Sequence, residues 1–206
     1  MKRAHVAGAL LAAALAAGVS AAGATVFQSF YLNSTGTVRA PDVTLVAGSD
    51  SSASCSAYPC ATVTVSGTSD TATVSFSLFK ADPTFTPPPA TYYTDLVEVK
   101  DAGNSHSILG ISVYNVTSTS ANDFGEVTVY YCTAQCTFGP SGSVSGGTSV
   151  GSLSITSAFA SGRNITAAFP QTIAPGGIQY IEVVAYAGSG AALGDKMSFK
   201  VAVQWV

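Results

Sequence analysis

Four cysteines are the residues of this chain best suited to covalent or metal chemistry, because they stand in two closely spaced pairs. The pairs are Cys55 with Cys60 and Cys132 with Cys136. Zinc sites commonly space their cysteines as C-x2-C, whereas these spacings are C-x4-C and C-x3-C. An even cysteine count in an exported protein favours disulfides. We therefore expect two local disulfide loops, 55–60 and 132–136, although four cysteines also permit a crossed pairing.

Side chains for acid–base or nucleophilic catalysis are scarce. Of the two histidines, only His106 lies beyond residue 24, in the polar turn Asn-Ser-His-Ser. A helical zinc-protease site needs two histidines one turn apart. Residues 147–151 match the pattern G-x-S-x-G, but that motif requires a sharp strand-to-helix turn and a later histidine. We predict that the chain is not an enzyme and has no catalytic residue, no metal site and no cofactor.

Loop oxygens offer a weaker kind of site. Calcium takes several oxygen ligands from loops, and four loop residues carry suitable side chains: Asp101, Asn104, Asn122 and Asp123. Loop carboxylates and amides are more often plain surface groups, so the prediction of no metal site is unchanged.

Three N-x-S/T sequons predict acceptor asparagines for N-glycans, provided that the source organism glycosylates exported proteins. The asparagines are Asn33, Asn115 and Asn164.

The first 24 residues predict a cleavable secretory signal. Lys2 and Arg3 precede a short apolar stretch over residues 6–17, and small residues follow it, as signal peptidase requires. The candidate cleavage points are after Ala21, Ala22 and Ala24. The alternative is a retained N-terminal anchor, but a membrane span needs about 20 apolar residues. We expect an extracellular protein that has no membrane contact after cleavage.

Cleavage leaves a weakly acidic chain. It removes two of the eight Lys and Arg residues, so six cations face 11 Asp and Glu residues, a net charge of −5. Nucleic-acid binding requires a clustered basic patch, and we predict no nucleic-acid partner.

The spacing of the apolar residues along the chain predicts the fold class. Almost every apolar stretch after the signal alternates with period two, as in residues 72–79 and 197–206, and turn-forming clusters separate these stretches. Strands are predicted at residues 26–32, 38–46, 61–66, 72–79, 92–100, 108–116, 126–132, 152–156, 164–169, 178–186 and 197–206. The Gly/Ser-rich residues 139–149 are expected to form a long loop. The pattern predicts an all-β protein, a single jelly-roll-like β-sandwich of about ten strands over residues 36–206.

Residues 25–35 contain a strand that is apolar on both faces. Its bulky side chains are Val26, Phe27, Phe30, Tyr31 and Leu32. Such a strand is either the first strand of its own sandwich or a free strand that completes a neighbour's sheet. Strand addition of the second kind is a heterologous contact, which makes an open filament when it does not close on itself.

Three stretches of the chain carry a family resemblance. They are residues 26–36 with the sequence Asn-Ser-Thr-Gly at their end, residues 43–46, and residues 92–99, which lead into an Asp/Gly/Asn turn. In this order, after a signal peptide, they resemble the TasA/camelysin-like filament proteins, especially archaeal bundling-pilus and thread subunits. The resemblance covers the mature chain as architecture. It implies a jelly roll that polymerises by donor-strand complementation into extracellular biofilm fibres. The peptidase classification of camelysin-type proteins is not carried over, because no zinc-protease motif is present.

Two hypotheses of different classes follow. The first is a head-to-tail homopolymer in which residues 26–32 are donated to the next subunit, with residues 178–186 and 197–206 as candidate acceptor strands. The alternative is a monomeric secreted carbohydrate-binding or adhesive β-sandwich. Its sugar-stacking candidates are Tyr58, Tyr92, Tyr93, Tyr114, Tyr130, Tyr131 and Tyr186.

Overall fold

The computed structural model describes residues 42–55, 59–78, 90–119, 123–156, 164–192 and 194–206. The predicted signal and N-terminal strand, together with Asn33, Tyr58 and Asn122, lie outside the described residues. Ten strands lie within them: β1 (Val43–Ala47), β2 (Ala61–Val65), β3 (Thr71–Ser77), β4 (Ala90–Asp101), β5 (His106–Ser118), β6 (Phe124–Phe138), β7 (Val144–Ser154), β8 (Ile165–Ile173), β9 (Ile178–Ala187) and β10 (Lys196–Trp205).

The ten strands form two five-stranded antiparallel sheets that pack face to face. The strand order is β1-β4-β9-β6-β7 in the first sheet and β2-β3-β10-β5-β8 in the second. From β3 onwards the pairs nest one inside another: β3 pairs with β10, β4 with β9, β5 with β8, and β6 with β7. This nesting is a hairpin rolled into a jelly roll, and β1 and β2 each widen one sheet. The prediction of a jelly-roll-like all-β sandwich is confirmed.

The core lies between the sheets, where the alternating side chains of facing strands meet. Phe76 on β3 is opposite Met197 on β10, and both are almost fully buried. The Phe76 ring contacts Tyr93, Phe124 and Phe199 edge to face, with centroid distances of 5.8 to 6.2 Å. Aromatic pairs in this geometry add stabilisation beyond the burial of their area.

The expected long loop over residues 139–149 is wrong. Only a tight turn follows β6 at Phe138, and β7 begins at Val144. Small residues are present because the two strands approach closely. A Cβ atom on Gly147, whose φ is +78°, would lie 2.3 Å from the carbonyl oxygen of Gln135. The Gly/Ser-rich composition, which is typical of linkers, therefore belongs here to a strand that lies in close contact with its neighbour.

Both predicted disulfide loops are confirmed. Cys55 is bonded to Cys60 and Cys132 to Cys136, so the pairing is local and not crossed. Disulfides of this kind are typical of proteins that mature in an oxidising compartment. Among the described residues, no helix is long and apolar enough to cross a membrane.

Candidate functional site

Four strands lie at the edges of the two sheets, where backbone groups are available to a partner. They are β1 and β7 in the first sheet and β2 and β8 in the second. The two candidate acceptor strands, residues 178–186 and 197–206, are β9 and β10, which have neighbours on both sides. This suggestion is wrong, because period-two alternation identifies a strand but does not reveal its position in the sheet.

The side of the sandwich formed by β1 and β2 is partly covered by the chain itself. The backbone N–H of Leu45 on β1 donates to the carbonyl of Ser69, 2.7 Å away, in the turn that joins β2 and β3. On β2, the Ala61 carbonyl accepts from the N–H of Ser52, and the Val63 N–H donates to Ser51 Oγ. Part of each edge is therefore already paired.

The opposite side, formed by β7 and β8, is open in the described part of the chain. No described strand pairs with the outer edge of β7 or β8. Edge strands are normally protected by charged residues, prolines or bulges that twist the edge away. The 11 residues of β7 include no charge and no proline; the register against β6 shifts repeatedly up to Ser149, and the regular part of the edge is residues 151–154. Strand β8 has Pro170 but no charge. We call these two edges the open side.

Apolar side chains lie directly behind the open side. Val150 on β7 and Ile165 and Ala167 on β8 are half-buried and pack against the core. Phe169 is 8% exposed and closes the sandwich by passing over Gly151, where a Cβ atom would lie 2.1 Å from the ring. The open side therefore combines free backbone groups with an apolar strip, which is what an added strand requires.

The tip of the β6–β7 hairpin folds over the outer face of the first sheet. The β6–β7 register shifts four times between Tyr131 and Phe138, and the Cys132–Cys136 disulfide spans this bend. The hydroxyl of Tyr92 on β4 donates to the Gly139 carbonyl at 2.8 Å. We call residues 133–149 the hairpin flap.

The flap buries side chains of β9 that would otherwise face solvent. Ile181 and Val183 point into the core, so Glu182 and Val184 belong to the outer face, yet Glu182 is 0% and Val184 2% exposed. Tyr130 reaches the flap by donating to the Gly142 carbonyl at 3.3 Å.

Glu182 is the most perturbed carboxyl group among the described residues. Its Oε1 accepts from the backbone N–H of Cys136 at 2.8 Å, and its Oε2 is buried without a hydrogen-bond partner. Burial raises the pKa of Glu182 to about 8; the Cys136 N–H opposes this rise, and the negative charges of Asp95 and Asp50 add to it. Sequence reasoning missed this residue, although a single glutamate within the apolar run of β9 was a signal.

His106, the only histidine considered for catalysis, is held in place by side chains from both sheets. Its Nδ1 lies 2.8 Å from Oδ2 of Asp101, and its Nε2 lies 3.6 Å from Oδ2 of Asp42. Its ring stands edge-on to Trp205 at 5.0 Å. The imidazole thereby ties the ends of strands from both sheets together.

The remaining candidates have separate surroundings among the described residues. Asp101 accepts from the backbone N–H of Gly103 and pairs with His106. Residues 147–151, which match G-x-S-x-G, lie within β7 and not at a strand-to-helix turn. The sequon residues Asn115 and Asn164 are exposed.

The described tyrosines among the sugar-stacking candidates are all buried or half-buried. Tyr93 and Tyr131 are buried in the core. Tyr92 and Tyr130 are half-buried beside the flap, where both rings contact Phe138. Tyr114 and Tyr186 are half-buried as well.

Comparisons with known proteins place this chain in no family. No family model matches it, and neither does any curated protein. Among solved structures, a chain from the structure of infectious bursal disease virus, strain Gt, is similar to it, with 16% identity and a TM-score of 0.31. The match covers 72% of this chain and 32% of the viral chain, about a third of that protein's length.

Proposed function

We propose that this protein is a structural subunit of an extracellular filament, in which residues 26–32 of one copy add as a strand to the β7 edge of the next copy. The observation that carries the proposal is the uncharged edge of β7 on the open side, which pairs regularly with β6 over residues 151–154. An uncharged edge of this kind favours pairing with another strand. The donor proposed here is uncharged as well, and its side chains are bulky and apolar on both faces.

The position of β1 favours head-to-tail addition. The first described residues lead into β1, at the opposite end of the first sheet from β7. Each subunit would therefore donate from one side and accept on the other, and such a heterologous contact propagates as a filament. The nine residues from 33 to 41 span at most about 30 Å, which is more than the width of the sheet between β1 and β7, about 19 Å. The competing arrangement is therefore one in which residues 26–32 pair with β7 of their own copy. Particle size separates the two, because this arrangement gives single subunits and not fibres.

Side-chain alternation predicts what the junction buries. Val26, Phe30 and Leu32 share one face of the donated strand, and this face would pack against Val150 and its neighbours on the open side. Each such side chain contributes roughly 1.5–3 kcal/mol when fully buried, which gives an upper limit of about 5–9 kcal/mol for the three. Backbone hydrogen bonds to β7 would add to this stabilisation.

The test combines a deletion with a pair of charge substitutions. Deleting residues 24–32 should abolish fibres in negative-stain micrographs of the mature protein. V150D places a carboxylate on the apolar strip and should also abolish them. V46D is the matched control, since Val46 is 36% exposed on β1 at the covered side. Fibres that survive the deletion or V150D would contradict the proposal, and so would fibres that are lost in V46D as well as in V150D. A wild type that forms small particles only would instead favour the monomeric alternative.

A further inference from the structure

Strand addition does not explain one group of side chains, which lies where the hairpin flap contacts β9. Cys132 and Cys136 on β6 and Glu182 on β9 are each 0% exposed. The two sulfur atoms and a carboxylate oxygen of Glu182 all lie within 4.8 Å of one another. Among the described residues, this is the only group of three or more such side chains close enough to share a metal ion.

The surroundings of Glu182 provide no described positive charge. Its Oε2 is buried without a hydrogen-bond partner, and no described cationic side chain forms an ion pair with it. The ionisable groups that act on it from neighbouring elements, Asp50 and Asp95, are both acidic. A buried carboxyl group without a partner charge is kept neutral or binds a metal. No described cation pairs with Glu182, so in the disulfide form it holds a proton, which it releases when a metal ion binds.

We propose that, when the Cys132–Cys136 disulfide is open, the two thiolates and the Glu182 carboxylate bind a divalent zinc-class metal ion. Zinc binds thiolate sulfur at about 2.3 Å and carboxylate oxygen at about 2.0–2.2 Å, usually in a tetrahedron. Three protein ligands leave the fourth position to water. The ion takes the place of the proton on Glu182 and balances the three negative charges of its ligands in part. Disulfide and metal ion exclude each other, because both use the same two sulfur atoms.

The second disulfide is an internal comparison. Cys55 and Cys60 are also close in sequence, but the polar side chain beside Cys60 is the hydroxyl of Ser77, 3.8 Å from its sulfur. No described carboxylate or imidazole joins that pair within metal-binding distance. Reducing it yields two thiols without a third strong ligand.

The experiment separates the two pairs by mutation. The mature C55S/C60S chain keeps the flap pair, and C132S/C136S keeps the other pair. Each is reduced with a trialkylphosphine, which becomes the phosphine oxide by taking an oxygen atom from water while the disulfide gains two electrons and two protons to give two thiols. After removal of the phosphine, Co²⁺ is titrated without oxygen, and thiolate-to-cobalt absorption reports binding. Zn²⁺ is then added as the competitor.

The expected result is one Co²⁺ ion bound per C55S/C60S chain, displaced by Zn²⁺, and no saturable binding to C132S/C136S. Adding E182Q to the C55S/C60S chain should weaken binding by at least about tenfold, the least that disturbing a metal site usually costs. E126Q is the matched control, because Glu126 is exposed on the same strand as the cysteines.

Three results would overturn the proposal. They are equal Co²⁺ affinity in the E182Q and E126Q chains, no binding to the reduced C55S/C60S chain, and loss of its β-sheet circular dichroism on reduction without recovery when metal is added. The last result counts against the site because it would show that no folded dithiol form exists. None of these outcomes bears on fibre formation, so this proposal and the filament proposal can fail separately.

Discussion

Replacing Glu182 by glutamine should change how the stability of this protein depends on pH. The ordinary pKa of a glutamate is 4.5, and that of folded Glu182 is about 8 because the flap buries it. Between these values the folded chain holds a proton that the unfolded chain has released. Stability from this group is therefore fully present below about pH 4.5 and is lost as the pH rises towards 8.

The magnitude follows from the difference between the two pKa values. One pKa unit corresponds to 1.36 kcal/mol, so the loss between pH 4.5 and pH 8 is about 5 kcal/mol at most. Lifting of the flap would let water reach the ionised carboxylate and reduce this figure. E182Q keeps an oxygen that can accept the Cys136 N–H and has no proton to lose. Its free energy of unfolding should be nearly flat over this range and should exceed that of the wild type at pH 8.

Urea unfolding followed by circular dichroism at several pH values measures the effect. E126Q controls for the loss of one negative charge, because Glu126 is exposed, and its pH slope should equal that of the wild type. Equal slopes for E182Q and the wild type would show that Glu182 ionises in the folded protein as readily as in the unfolded chain, contrary to this prediction.

Two further substitutions test the architecture by the free energy of unfolding. G151A should lower the free energy of unfolding by about 1–3 kcal/mol through overpacking, because the added methyl group would meet the Phe169 ring. G67A is the control: the added Cβ atom has no neighbour within 4 Å, and stability should change by less than about 0.5 kcal/mol. Equal effects of the two substitutions would contradict the packing at the open side. H106A removes a partner of the buried Asp101 carboxylate and should cost about 1–3 kcal/mol, the usual penalty for an unpaired buried polar group; a change below about 0.5 kcal/mol would show that this pairing contributes little.

The sequence predicts the strands because alternation is a local property. In β10 every second side chain enters the core, so Met197, Phe199 and Val201 identify the strand without knowledge of its neighbours. Sheet order depends on long-range pairing instead. For this reason alternation alone leaves the acceptor edges open, and the two candidate strands, β9 and β10, lie in the middle of their sheets.

The candidate site could not be derived from the sequence, since its features depend on close approach between distant segments. The Gly/Ser-rich start of β7 looks like a linker, yet Gly147 is small because Gln135 lies against it. Glu182 faces outwards by alternation and is buried only because the flap folds over it. Asp101 and His106 are five residues apart, but their contact depends on the geometry of the turn between β4 and β5.

Electron cryomicroscopy of the assembled mature protein tests the filament proposal most directly. We expect fibres in which density for residues 26–32 of one subunit continues the first sheet of the next subunit along the outer edge of β7. Fibres in which β7 has no added strand, or in which another segment pairs with it, would show that the proposed donor is wrong.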